Sequence, residues 1–153
     1  MAESLGKRCN REGKEIHYGR TPVVAVGTTD MHAQTQQHQE GRLNKVVQFL
    51  EIADPEEKAV LHNPFEDLPC FAKYEGLDMN RALKIALAAN EAALTSDNRY
   101  NARFTLPKLN EYYLGQLMYF LMLSVAYEGE MADVDAYDQP GVEIYKRIMK
   151  DQL

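Results

Sequence analysis

The sequence predicts an α/β layer fold of about three parallel strands with flanking helices, fewer than the five or so of a typical sheet. Three observations carry this expectation. Short strand-like runs at 21–26, 45–52 and 102–106 are separated by longer segments. Those segments repeat apolar residues at helical spacing. The run Pro22-Val23-Val24-Ala25-Val26 is continuous and apolar, the pattern of a strand buried on both faces of a parallel sheet.

In chain order, residues 1–5 read as the end of a helix stopped by Gly6. Residues 7–20 are polar and punctuated by glycine and read as a loop. The first strand covers 21–26, and Thr28-Thr29-Asp30 then caps a helix running to about residue 39. A second strand covers 45–52. Residues 53–77 contain Pro55, Pro64 and Pro69 and are expected to be irregular with one short helix. Asp78 caps a helix from 79 to about 95, with Leu83, Ala86, Leu87, Asn90 and Leu94 at helical spacing. The third strand, 102–106, ends at Pro107. Asn110 caps a long helix to about residue 127, where Leu114, Leu117, Met118, Leu121, Met122 and Val125 form a wide apolar stripe read as core.

The final helix begins at Asp138-Gln139-Pro140-Gly141. Pro140 suits a first helical turn because its fixed φ is already helical and its missing N–H would be unbonded there, so Asp138 or Gln139 is the cap. Gln139 and Lys146 are seven residues apart, which places them on one face about 10 Å apart along the axis. Side chains lean toward the helix N-terminus, so the lysine can reach back toward the glutamine over one small ligand. Glu143, one turn from both, is placed to orient Lys146 through a salt bridge.

A chain of 153 residues is long enough to bury one core. Its net charge of −6, with lysines and arginines scattered, argues against a nucleic-acid or anionic-membrane surface. No apolar run reaches the roughly 20 residues of a membrane span. Glu3 and Lys7 interrupt any signal-peptide core, so the cytoplasm is the expected compartment. Cys9 and Cys70 lack metal-ligand or redox-motif spacing and are expected to be reduced thiols. His32 and His38 do not share a helix face, and no metal site or other cofactor is expected.

The string from Asp138 to Lys146 closely resembles the C-terminal signature of glucose-6-phosphate isomerases, which interconvert glucose 6-phosphate and fructose 6-phosphate. Glu3-Ser4-Leu5-Gly6-Lys7 is similar to the family segment that supplies the catalytic glutamate. Gly27-Thr28-Thr29-Asp30-Met31-His32-Ala33-Gln34, followed by Gln37 and Glu40-Gly41, resembles the segment of its catalytic histidine. The three segments keep the family's order and span essentially the whole chain. Met31 and Arg42-Leu43 depart from the usual pattern, which touches local contacts and none of the catalytic positions.

The resemblance implies a three-layer parallel-sheet domain of the sugar-isomerase (SIS, flavodoxin-like) type, here incomplete. It places residues 1–153 as the C-terminal third of the enzyme, beginning just before the catalytic glutamate. The N-terminal phosphate-binding domain, with its Ser/Thr-rich loop and an active-site arginine, has no counterpart in this sequence. The implied partners are a phosphosugar, that N-terminal domain and a second copy of the enzyme.

The chemistry explains why these residue types matter. Moving a sugar carbonyl from the first carbon to the second requires removal of a proton alpha to the carbonyl and its return to the neighbouring carbon through an enediol or enediolate. One carboxylate can do both, and Glu3 is the candidate; partial desolvation with a raised pKa would suit it near neutral pH. An imidazole can move a proton between ring oxygen and anomeric hydroxyl near pH 7. His32 holds that place by resemblance, at the turn where a strand enters a helix, and the family histidine reaches into the neighbouring subunit's site. The resemblance likewise implies that Lys146 steadies the ring oxygen and the charge that develops on opening, and that Gln139 and Thr29 bind substrate. Without the motifs, Glu3 would read as a solvated surface residue and His32 as a capping or core histidine.

Three functions fit this sequence. The first is a catalytic piece of an isomerase, inactive until joined to its other domain. The second is a stand-alone phosphosugar-binding or dimerisation module, and the third an inactive remnant of a split gene. Retention of base, histidine and lysine together favours the first, and a sensor would more naturally keep a phosphate loop.

Overall fold

The computed structural model describes residues 1–63, 65 and 67–153. The elements in order are α1 (Ala2–Leu5), β1 (Lys7–Cys9), β2 (Glu15–Tyr18), α2 (Met31–Glu40), β3 (Val47–Ile52), a 3-10 helix (Pro69–Tyr74), α3 (Met79–Ser96), β4 (Asn101–Leu106), α4 (Glu111–Met131) and α5 (Pro140–Asp151). They gather into two compact units. The first joins Met1–Val24 to Gly115–Leu153, and the second is Ala25–Leu114.

The first unit rests on a hairpin where the sequence predicts a loop. β1 and β2 pair antiparallel, Lys7 opposite Tyr18 and Cys9 opposite Glu15, with an irregularity between. The turn closes because Gly13 takes φ +83 and donates its N–H to the Asn10 carbonyl, while the Asn10 side chain accepts from Lys14 N–H at 2.8 Å. β1 is three residues with no apolar alternation and β2, Glu15-Ile16-His17-Tyr18, alternates over only four, which is too short a pattern to mark a hairpin.

The core of this unit is Leu5, Val134 and Ala136, with Tyr18, Val125 and Ala132 packed against it. It forms because α4 ends sharply: Asp133 adopts φ +55, its N–H bonds the Glu130 carbonyl, and Val134 N–H bonds the Gly129 carbonyl. This is the glycine-type helix stop, here made by an aspartate. The Asp133 carboxylate accepts from Asn10 Nδ2 at 2.7 Å and its carbonyl from Arg11 N–H, tying the stop to the hairpin. Gly129 makes the packing possible, since a Cβ there would lie 2.9 Å from the Ala136 Cβ and 3.3 Å from the Val134 carbonyl oxygen.

The second unit is a βαβ arrangement. β3 and β4 run parallel from Val47 opposite Asn101 to Ile52 opposite Leu106, with α3 in the connection. Asp78 caps α3 by accepting from Asn80 N–H at 2.8 Å. Asn98, at φ +55, ends α3 by the same device as Asp133. Leu94 and Leu106 are buried. Arg103 on β4 holds Glu51 on β3 at 3.2 Å and also pairs with Glu91 on α3. Arg99 donates to the Gly41 carbonyl at 2.7 Å, fixing the end of α2.

The α/β class and the parallel pairing of 47–52 with 101–106 agree with the sequence expectation. Two parts of it need correction. Residues 21–26 are not the first strand: they pair with no strand among the described residues, and Val24 is 90% exposed. Among the described residues the parallel sheet therefore has two strands, not three. An apolar run marks chain suited to burial, but a strand exists only where a neighbouring backbone completes its ladder. The stripe of α4 is likewise not core. Leu114, Met118, Leu121 and Met122 are exposed, and only Val125 packs against the buried cluster. The irregular stretch 53–77 contains the one short helix expected, while Pro64 lies outside the described residues. No described helix is long and apolar enough to cross a membrane.

Candidate functional site

The first unit holds three of the candidate residues. Glu3 lies on α1, with its carboxylate exposed. Gln139 occupies the N-cap position of α5, with Pro140 first in the helix, and it caps through its backbone: its carbonyl accepts from Val142 N–H at 3.0 Å, and its side chain makes no capping bond. Of the two expected caps, neither therefore serves through its side chain. Lys146 follows on the same helix and donates to Glu143 Oε1 at 2.7 Å, the i, i+3 salt bridge that the spacing predicts.

The Lys146 ammonium is held above the ordinary lysine value first by its hydrogen bond to Glu143, then by that carboxylate's charge, with smaller contributions from Tyr145 and Glu3. The charge of the candidate base thus reaches the candidate lysine. An exposed lysine is a cation at neutral pH in any case, as a group that steadies negative charge must be, and the carboxylate of Glu143 fixes where that charge sits.

Asp138, the other expected cap, has a different role. Its carboxylate lies 2.8 Å from Lys7 Nζ, and Lys7 also donates to the Asp138 carbonyl. Lys7 is the one charged residue that is buried among the described residues, at 6% exposure. This link between the first and last motif segments escapes sequence reading, although both partners stand inside the strings that carry the resemblance. A contact across 131 positions has no local signature.

The second unit holds Thr29 and His32. Both side chains are exposed, Thr29 in the turn before α2 and His32 in its first turn. Asp30 shapes this turn: its carboxylate accepts from Val26 N–H at 2.6 Å, and its own N–H bonds the Val26 carbonyl. Asp30 stands at the N-cap but makes no side-chain cap bond there. Because 21–26 is not a strand, His32 does not follow a sheet strand as the sequence suggested. His38, farther along α2, is held below the ordinary histidine value by burial and then by the charge of Lys45.

Each unit also has a hollow. In the first, about 600 Å³ opens between Tyr18, Arg20, Phe120, Tyr127 and Glu128. Glu128 accepts from Tyr18 Oη at 2.8 Å and pairs with Arg20 at 3.2 Å, and this contact with Glu128, helped by burial, raises the Tyr18 pKa. In the second, about 420 Å³ opens beside Asp54, Asp78, Arg81 and Lys84. No candidate residue lines either one. Among the described residues, no group of three or more His, Cys, Asp or Glu side chains could hold a metal ion, and Cys9 and Cys70 are free and exposed.

Comparison with known proteins places this arrangement. The model of the phosphoglucose isomerase family matches residues 1–152. A glucose-6-phosphate isomerase from Carboxydothermus hydrogenoformans is 39% identical over 150 residues, covering 96% of this chain and 32% of the relative. One from Prochlorococcus marinus is 36% identical, covering the whole chain and 27% of the relative. A crystal structure of a hypothetical protein from Thermus thermophilus superposes with a TM-score of 0.89 at 34% identity, over 98% of this chain and 35% of that one. The chain thus spans about a third of the length of the relatives it matches.

Proposed function

The chain belongs to the phosphoglucose isomerase family, and from that premise we propose that it is the C-terminal catalytic part of a glucose-6-phosphate isomerase. Its reaction is the reversible aldose-ketose isomerisation of glucose 6-phosphate to fructose 6-phosphate, through ring opening and an enediolate. Glu3 is the base that takes the proton from the second carbon and returns it to the first. His32 moves the proton that opens the ring, in the site of a neighbouring subunit. Lys146 steadies the ring oxygen, Gln139 and Thr29 hold hydroxyls, and the reaction needs no cofactor.

The observation that carries this reading is the contact of Lys7 with Asp138 at 2.8 Å, which ties the segment of Glu3 to the start of the helix that carries Gln139 and Lys146. A base and a cation must share one small site if the proton is to leave carbon while charge gathers on oxygen. In the same reading, β3 and β4 are part of a larger three-layer sheet of the sugar-isomerase type, completed by strands of the remaining two thirds of the enzyme. That part also supplies the grip on the phosphate. Without it, binding energy cannot fix the reacting carbons, and the 153-residue chain alone is inactive.

The test joins the chain to the upstream part of a family enzyme. Glu3→Gln keeps the shape but removes the base, so both isomerisation and exchange of the second-carbon proton with solvent are abolished while substrate affinity changes little. His32→Ala slows turnover of the closed-ring substrate far more than proton exchange from an open-chain analogue. Equal loss of both activities in the two variants would refute this division of labour. Turnover by the chain alone, comparable to a complete isomerase, would refute its dependence on the missing part.

A further inference from the structure

Lys7 takes no part in the chemistry above, yet its surroundings are unusual. It is buried, and its ammonium meets both the carbonyl and the carboxylate of Asp138, the latter at 2.8 Å. Burying an ammonium is costly, and an apolar side chain of similar volume commonly holds two segments together at least as well. What this pair adds is directional placement, because its hydrogen bonds weaken steeply once the donor angle departs from linear. The two segments joined here are the ones that matter. Lys7 lies four residues after Glu3, with the single turn of α1 between, and Asp138 immediately precedes Gln139, where α5 begins.

We propose that Lys7 is a positioning residue of the isomerase site, and that its ammonium, gripping Asp138 at two points, sets the Glu3 segment in register with the helix that carries Gln139 and Lys146. The proposal rests on the functional reading given above, but its test does not depend on turnover. Without that grip α1 is free to shift against α5 and carry the candidate base away from the candidate cation, and misplacement on the order of 1 Å already costs an enzyme rate.

The experiment titrates Lys146 in the complete 153-residue chain by carbon-detected NMR of its labelled side chain. The groups acting on Lys146 are Glu143, Tyr145 and Glu3. In the native chain, Glu3→Gln lowers the Lys146 titration midpoint by a measurable amount. In Lys7→Met, which fills the same space without the charge, Glu3→Gln moves that midpoint less, whereas the effect of Glu143→Gln is unchanged because that contact lies within α5. Asp138→Asn keeps the carbonyl contact and the side chain's size but leaves the buried ammonium without its counter-charge, so it lowers stability; it also weakens the Glu3 effect in the same direction and decides the matter should Lys7→Met not fold. A folded Lys7→Met chain that keeps the native Glu3 effect, or a native chain that shows none, overturns the proposal. Failure of the isomerase reading would instead appear as an inactive reconstituted enzyme with this coupling intact.

Discussion

Gly129 shows how a single missing atom sets the packing of the first unit. A methyl group there would press on the Ala136 side chain and the Val134 carbonyl, and neither can yield easily because both belong to the tight turn after α4. Gly129→Ala is expected to destabilise the chain by about 1–2 kcal/mol, overpacking outweighing the gain in helix propensity. Gly115, in the same helix, faces open space, so Gly115→Ala should stabilise by up to about 1 kcal/mol. Urea denaturation of the two variants checks the opposite signs.

His38 gives a pH dependence at the same scale. Its folded pKa is depressed below the ordinary 6.5 by burial and by Lys45, so as pH falls through that value the unfolded chain takes up a proton that the folded chain resists. Stability therefore declines on acidification from neutrality until the folded pKa is passed, and His38→Gln should flatten that decline in melts recorded between about pH 7 and pH 5. Individual residues were legible in the sequence where their partners are near in the chain. The Glu143–Lys146 pair follows from spacing, whereas Lys7–Asp138 joins opposite ends of the chain and leaves no periodicity to find.

Whole elements were legible where local rules and tertiary structure agree. α3 combines an aspartate cap, an apolar period and an asparagine stop, and it forms within a residue of its expected bounds. Asp78→Ala removes the acceptor for Asn80 N–H and should cost about 1 kcal/mol, read as a lower melting temperature without loss of the α/β circular dichroism signature. α4 was legible as a helix but not in its burial. Its sequence says which side chains avoid water, not what will cover them. The hairpin of β1 and β2 and the unpaired run 21–26 are the converse cases, one paired with too short an apolar pattern to be seen and the other apolar without a pair.

For the molecule as a whole, the exposed side chains of α4 are the dominant fact. Tyr112, Met118, Phe120, Met122, Tyr127 and Met131 all face solvent, with Met131 at 88% exposure. Apolar surface of this extent on one helix marks an interaction surface or a liability to aggregate. The chain is expected to self-associate at micromolar concentrations, and sedimentation velocity should show the mean mass rising with concentration. A compact monomer at all concentrations would contradict this.

The division of the first unit between the two ends of the chain has a consequence for its biosynthesis. Residues 25–114, the whole of the second unit, are complete before any of Gly115–Leu153 has been made. A ribosome needs on the order of seconds to add that last segment. Throughout that interval α1 and the hairpin wait without Val134, Ala136 or Asp138, so Leu5 has no core to enter and Lys7 no counter-ion. The nascent chain thus holds its first motif idle until its last has been translated, and translation pauses within codons 115–138 would lengthen the time it spends exposed to chaperones and proteases.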